Sequence, residues 1–424
     1  MLISFTLGNF RSFNEPNLFS MLPVRCIKDE GNLQRCLIAT SNKQYPALLK
    51  SAVIYGANAS GKSNLLLGIK QMQEFVQNNF QQIKYAQKTV YNPFLFSQNP
   101  SEKPSLYEIQ FLIDENVFRY GFEILHSCVL EEWLYKNEEE LFFREKQEIS
   151  LGDSFTEGKD KETQTREDAL FLSVCVHLNG AISRTILEQF EKISVANFLS
   201  DSEIFGYSYL RNPDICAKLL PLVKLADAGI LDFEHIETIK TVSSKNSSKN
   251  SSKNSSKNSG VQNTLGIRDE VEVSVSSYSY SAVYEIPKGD DDKRNLNIEE
   301  LSSGTKKMLG LAYQMLRAVE SNSIVIIDEI DIQLHPLLIE ILLDFFHSHK
   351  SSQSQLIFTA HSTYPLRKKL LRRDQVWFVN KNIDLSSELV NFAEFKVPPE
   401  ASYENDYLNG RYGGIPLVDL SEYD

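Results

Sequence analysis

The chain has 424 residues, 42% of them hydrophobic with 25 Phe, enough for about two to three domains at ~150 residues each. A formal net charge of −12 argues against a protein held on nucleic acid by its overall field and leaves room only for a local basic strip. The five cysteines (Cys26, Cys36, Cys128, Cys175, Cys216) are scattered without CxxC spacing, which suits a reducing cytoplasm and neither a disulfide framework nor a zinc site.

No apolar run reaches the roughly 18 residues of a membrane span. The opening "MLISFTLGNFRSF" alternates, with Ile3, Phe5 and Leu7 on one face, and reads as a strand rather than a signal peptide. "SAVIYGANASGKSNLLLGIKQMQEFVQNNF" predicts strand, loop and helix: Val53 to Tyr55 form the strand. Leu65, Leu66, Ile69, Met72, Val76 and Phe80 recur at helical spacing. From Tyr91 to about Glu145 the texture is β-rich, with "DEN" among the turn signals, and predicts a meander. From about Arg166 to Asp227 the pattern turns helical.

"SSKN" then occurs four times between Ser243 and Asn258; a tandem repeat without an apolar residue buries no core and reads as a disordered loop tip. "DEVEVSVSSYSYSAVYEI" predicts returning strands, and "PKGDDDKR" a solvated turn. A helix over 305–320 follows "LSSGT". Next come a buried strand "SIVIIDEID", a helix over 336–347, and the strands "SQLIFTAHS" and "QVWFVNK". The domain reading is a first lobe over 1–165, a helical insert over 166–261 and a second lobe over 262–424.

"GANASGKS", Gly56 to Ser63, fits G-x-x-x-x-G-K-[ST] between a predicted strand and a predicted helix. Backbone N–H groups there close around phosphate oxygens, and the helix N-terminus adds a favourable field. Lys62 would reach the β- and γ-phosphates of ATP and Ser63 would bind Mg²⁺. "SIVIIDEID" ends in Asp328, a second Mg²⁺ residue, and Glu329, which would polarise the attacking water. His361, ending the next strand, would contact the γ-phosphate. Ser302, Ser303 and Gly304 precede a helix and make a second anion site, beyond the ordinary cap that Ser supplies at such a position. Two phosphate-binding surfaces in one chain suggest use in trans, with two ATP molecules sandwiched at a two-fold interface.

The order phosphate loop, long insertion, "LSSGT", "IVIIDEID", "TAHS" resembles the ABC-type ATPase heads of SMC, Rad50, RecF and OLD proteins; "GKSN" and "NFRSF" add to it. The resemblance implies an α/β ABC-type P-loop ATPase head with a β-rich flank and an inserted helical arm. It implies nucleotide contacts from Arg11, Gly56, Asn58, Gly61, Lys62, Ser63, Asn64, Ser302, Ser303, Gly304 and Asp331, the last facing a partner subunit. "LSSGT" departs from LSGGQ at Thr305. Either Gln98 or Gln110 stands where such heads sense Mg²⁺.

A closer likeness, through "YNPFLFS", "FRYGFEIL", "LSSGTKKML", "DEIDIQLHPLL" and "YLNGRYGGIP", is to compact AAA15-class ATPases of abortive infection, the AbiL/RloA-type and PARIS-type enzymes. It implies antiphage defence: a cytoplasmic homo-oligomer of ATP-sandwich dimers, a phage-encoded trigger, a separately encoded effector such as a TOPRIM nuclease, and no membrane. Sustained heptads are absent, so an SMC-type coiled coil is not expected. The stretch after His361 is too short for the fused nuclease of OLD proteins. "YLNGRYGGIP" places Arg411 or Tyr412 against a partner. The alternative is a RecF-like ATPase that binds DNA through the basic run "LRKKLLRR", Leu366 to Arg373.

Overall fold

The computed structural model describes residues 1–24, 31–79, 90–196, 207–243, 272–285, 293–367, 370–398 and 401–415. Two compact units result, Met1–Ile204 with Lys307–Asp424, and Phe205–Lys306. Strands and helices are numbered along the chain.

The first unit holds two large sheets. Five parallel strands, β11 (Ile193–Ala196), β15 (Ile324–Ile327), β16 (Gln355–Thr359), β5 (Ser51–Gly56) and β17 (Val376–Lys381), lie side by side in that order. β18 (Ser387–Asn391) closes the edge antiparallel to β17. Every residue of β5, β15 and β16 is buried, as parallel strands covered on both faces require. The second sheet is antiparallel, in the order β10 (Glu148–Leu151), β9 (Glu139–Glu145), β8 (Cys128–Lys136), β7 (Asn116–Leu125), β6 (Ser105–Ile113), β1 (Leu2–Gly8) and β2 (Asn17–Ser20). Its hairpin turns use left-handed residues, Asp114, His126, Asn137 and Glu138, and Lys146, whose backbone twist suits tight hairpins. The expected meander is this sheet. A small hairpin joins β3 (Leu37–Ala39) to β4 (Ala47–Leu49).

α1 (Lys62–Asn78) buries Leu65, Leu66, Ile69, Met72, Phe75 and Val76, each stabilising by about 1.5–3 kcal/mol relative to exposure. Gly68 lets the helix approach β1: a Cβ there would stand 2.6 Å from the Leu7 side chain. Phe80 lies outside the described residues. In β1, a bulge between Leu2 and Ser4 turns Ile3 away from Phe5 and Leu7 into a separate cluster with Leu48 and Leu112. α2 (Phe171–His177) and α3 (Ala181–Glu191) follow β10. The stretch read as a continuing helix after α3 is instead β11, because Ile193 and Val195 suit a strand and pair with Ile324 and Ile326. Unit one also holds α6 (Pro336–Ser348) and α7 (Tyr403–Leu408).

The second unit carries α4 (Pro213–Val223), β12 (Ile230–Ser243), β13 (Glu272–Glu285) and β14 (Lys293–Asn297), the strands forming one antiparallel sheet. The region read as a helical insert over 166–261 thus divides: α2 and α3 belong to the first unit, α4 and β12 to the second. The SSKN repeat and most of "GDDDK" lie outside the described residues. α5 (Ser303–Ser321) starts in the second unit and continues in the first. Among the described residues, no helix is long and apolar enough to cross a membrane.

Two buried polar clusters lock unit one. Glu132 on β8, fully buried, accepts from the backbone N–H groups of Phe171 (2.6 Å) and Leu172 (3.0 Å), the first residues of α2, and from the Tyr120 hydroxyl (3.0 Å). Arg144 on β9, equally buried, lies 3.5 Å from Glu132 and donates to the carbonyls of Ala169, Arg166 and Lys146. The pair pins the α2 N-terminus to the antiparallel sheet. At the start of β5, opposite its glycine end, Ser51 Oγ lies 2.9 Å from His347 Nε2 and accepts from Gln375 Nε2 at 2.8 Å. Burial, with Arg35 and Lys50 nearby, pushes the His347 pKa down to about 3.

Glu132→Ala strands Arg144 in the core, so chemical denaturation should show a loss of about 3–5 kcal/mol. His347 stays neutral in the fold but protonates near pH 6.5 when unfolded. Between pH 6.5 and about 3 the unfolded state binds the extra proton, and stability should fall as pH falls, by about 1.4 kcal/mol per unit from this residue. Denaturant midpoints across that range should show a shallower slope in His347→Gln.

Candidate active site

The loop between β5 and α1 is shaped by two left-handed residues, Ala59 (φ 61°) and Gly61 (φ 114°). Only glycine fits at 61: a Cβ would collide with the hydroxyls of Ser387 and Ser12. The loop is laced to its neighbours by serines. Asn64 Nδ2 donates to Ser12 Oγ at 2.8 Å, the Ser387 N–H donates to the Ser12 carbonyl at 2.6 Å, and Ser387 Oγ donates to the Ser60 carbonyl. Lys62 is buried and its Nζ donates to the carbonyls of Gly56 (2.7 Å) and Ala57 (3.1 Å), so the ammonium is held at the loop's centre. Burial lowers its pKa, while the charges of Asp328, Glu329 and Asp331 oppose that shift. Ser63 and Asn58 are exposed.

β16 lies between β5 and β15, so the ends of all three strands meet at one level. Thr359, the last residue of β16, donates its hydroxyl to Asp328 Oδ1 at 2.5 Å and accepts from the Glu329 N–H at 2.7 Å. Glu329 has φ 52°, a left-handed conformation rare for a residue with a side chain and a mark of stored backbone strain. Its Oε1 lies 3.3 Å from His361 Nε2, both side chains partly exposed. Asp331 accepts from the N–H groups of His361 (2.8 Å) and Ser362 through Oδ2.

Lys62, Asp328, Glu329, Asp331 and His361 therefore stand in one site. Arg11 (φ 49°) is exposed on the turn whose Ser12 laces to the phosphate loop, and its N–H donates to the Asn92 carbonyl at 2.7 Å. Gln98 is exposed in the loop that follows Asn92, and Gln110 sits within β6 opposite Ser4 and Arg119. The Asp331 carboxylate, expected to face a partner, is engaged through Oδ2 within its own chain. Ser302, Ser303 and Gly304 belong to the second unit: Ser302 caps α5, accepting from the Thr305 N–H at 3.1 Å, and its Oγ lies 2.7 Å from Thr305 Oγ1. Thr305, the departure from LSGGQ, is thus the hydroxyl partner of Ser302.

Thr359 and Lys307 escaped the sequence reading. Thr359 precedes His361 by two and carried a signal as the polar residue of an otherwise apolar strand end. Lys307 is buried, donates to the Glu329 carbonyl at 2.7 Å, and has its pKa lowered by burial against the opposing charges of Asp331, Glu329 and Asp328. Only its place five residues past Ser302 hinted at it. The described part of the basic run "LRKKLLRR" is partly buried: Arg367 is exposed and Arg373 half-buried. Leu370 and Leu371 are buried, Arg372 is buried against Asp374 (2.8 Å), and Arg367 lies over the Tyr364 ring at 4.1 Å; Lys368 and Lys369 lie outside the described residues. Tyr412, expected to face a partner, is buried with its hydroxyl on Asp406 (3.0 Å), and Arg411 pairs with the same carboxylate at 2.9 Å.

Residues 51–366 match the family model described as "AAA domain, putative AbiEii toxin, Type IV TA system". No curated protein matches the chain. Among solved structures, the SMC head domain from Thermotoga maritima shares 14% identity over 93% of this chain and 99% of that one, at a TM-score of 0.42. An SmcHead bound to the C-winged helix domain of ScpA shares 14% over 92% and 97%, at a TM-score of 0.46. An Smc head domain with an extended coiled coil, bound to the C-terminal domain of ScpA derived from Pyrococcus furiosus, shares 14% over 97% and 98%, at a TM-score of 0.42.

Lys307→Met should lower ATP turnover by about tenfold to a hundredfold, the ~1–3 kcal/mol needed to hold a left-handed residue in place, while nucleotide affinity stays near wild type. Lys307→Arg should recover part of the loss. Steady-state kinetics beside equilibrium nucleotide binding separate the two quantities.

Proposed function

The chain belongs to this AAA-domain family, a P-loop ATPase family linked to abortive-infection and toxin–antitoxin systems, and we propose that it is the ATP-hydrolysing sensor or scaffold of an antiphage system, controlling a separately encoded effector, a nuclease. The observation that carries the hydrolytic part is the meeting of Glu329 and His361, 3.3 Å apart, beside a phosphate loop whose lysine is already held at its centre.

In this reading Lys62 moves from its loop carbonyls to the β- and γ-phosphates of ATP, and the N–H groups of the loop take the remaining oxygens. Glu329 orients the attacking water and accepts its proton. His361 contacts the γ-phosphate and stabilises charge as it develops. Arg11, on the turn beside the loop, adds a cation. The donor set fits a magnesium ion: the exposed Ser63 hydroxyl and an Asp328 carboxylate with Oδ1 oriented by Thr359 would hold it. Mg²⁺, when bound, neutralises charge on the phosphates. Ser302 and Gly304 of a second copy would cap the γ-phosphate, giving a sandwich dimer whose closure biases the effector. The burial of Arg372 against Asp374 takes one cation out of the run "LRKKLLRR" on which a RecF-like reading would rest.

Lys62→Ala should abolish nucleotide binding. Glu329→Gln should bind ATP, lose about 10²–10⁴-fold in turnover, and accumulate as dimer in size-exclusion chromatography with ATP. Normal turnover in Glu329→Gln would sink the assigned role. Phage plaque counts on cells carrying the gene and its neighbour should show protection that both substitutions remove.

A further inference from the structure

The motif "YLNGRYGGIP" takes no part in the chemistry above, yet its described residues close against the site from behind. The Tyr407 and Tyr412 rings stack on Phe378 of β17, at 5.4 and 5.7 Å between centroids, and Tyr407 also meets Tyr55 of β5 at 5.5 Å. Three glycines, Gly410, Gly413 and Gly414, have φ between 68° and 77°. A Cβ at Gly413 would collide with Asn380 Oδ1, and one at Gly414 would touch the Cα of Gly56, the first residue of the phosphate loop, at 3.4 Å. The Gly414 N–H donates to Asn380 Oδ1 at 2.7 Å, and its carbonyl accepts from the Tyr407 hydroxyl at 2.9 Å. At the other end of the segment, Glu404 Oε1 accepts from the Thr363 hydroxyl at 2.6 Å, two residues past His361.

The loop carrying His361 is thus held by two carboxylates. Asp331 takes the N–H groups of His361 and Ser362; Glu404 takes the side chain of Thr363. The same short segment packs its Tyr407 on Tyr55, the residue before the phosphate loop, and Gly414 leaves no more than a methyl group's room before Gly56. A contact at both ends fixes the distance between the residue that holds phosphate and the residue that faces the γ-phosphate.

We propose that Ser402–Ile415 is a brace for hydrolysis: Glu404, acting through Thr363, is a positioning residue for His361, while Gly414 seats the phosphate loop. The proposal rests on the hydrolytic reading of Glu329 and His361 and adds a distant chain segment to it. Such a brace gives any factor that displaces the segment control over turnover without touching ATP.

The test uses the full chain and compares wild type, Thr363→Val, Thr363→Ser, Glu404→Ala and Glu329→Gln. ATP turnover, equilibrium binding of a fluorescent ATP analogue, and hydrogen exchange of the peptide covering 359–366 are measured. Thr363→Val, isosteric but without the hydroxyl, should lose about tenfold in kcat with KM and analogue affinity unchanged, and its 359–366 peptide should exchange faster. Thr363→Ser, which keeps the hydroxyl, should return to wild type in both readouts, and Glu404→Ala should copy Thr363→Val. Wild-type kcat and exchange in Thr363→Val overturn the brace. Rejection of the hydrolytic reading is separate: it follows from unchanged turnover in Glu329→Gln, whatever the Thr363 variants do. Should the chain alone turn over no ATP, exchange still decides, since unchanged protection in Thr363→Val and Glu404→Ala overturns the proposal and faster exchange supports it.

Discussion

The site depends on one constraint, the parallel register of β5, β16 and β15. Parallel strands run their carboxyl ends to the same edge, and ligands in open α/β sheets bind at that edge. With Ile54 level with Thr359 and Ile327 level with Phe358, the phosphate loop, the two carboxylates and His361 leave the sheet at one height. At the end of β16 one hydroxyl, that of Thr359, serves both residues that follow β15: it orients Asp328 and anchors the backbone of Glu329. A strand inserted elsewhere in the order would separate the phosphate-holding residues from the water-activating one.

That register is supported from outside the sheet. The Glu132–Arg144 pair on the antiparallel sheet fixes the first turn of α2, and α3 leads directly into β11, the strand beside β15. A buried ion pair contributes little net stability against an apolar alternative, because desolvation offsets its attraction. Its effect here is specificity: the carboxylate satisfies two orphan helix donors that apolar side chains would leave unpaired. Gln355 does similar work between sheets, bonding both backbone groups of Leu2 and the Leu49 carbonyl at the start of β16.

Much of this was legible in the sequence where local pattern and chemistry agree. The phosphate loop, the apolar run before Asp328, the hairpins after Tyr91 and helices α1, α5 and α6 all carry period and punctuation together. What escaped is what tertiary contact decides. Four residues, Ile193–Ala196, read as part of the preceding helix, because two β-branched residues are a weak local signal and the pairing with β15 that makes them an edge strand is tertiary. Arg372 reads as one more surface cation; its partner Asp374 is only two residues on, and what the local text does not show is that both are buried. Lys307 and Glu404 are ordinary exposed-looking residues in sequence; their partners lie 22 and 41 positions away.

The hydroxyl pair at the head of α5 has a consequence of its own. Ser302 Oγ and Thr305 Oγ1 stand 2.7 Å apart and either can donate to the other. When Thr305 donates, the proton of Ser302 is free to point outward; when Ser302 donates, one of its lone pairs accepts the Thr305 N–H and the other faces outward. The pair is a short hydrogen-bond chain with two polarities. Positive surroundings favour the second and an approaching anion favours the first, so the cap can reverse its sense by two O–H rotations without moving a heavy atom. A threonine in the fifth place of the signature thereby makes the helix cap responsive to charge on a faster timescale than any domain motion.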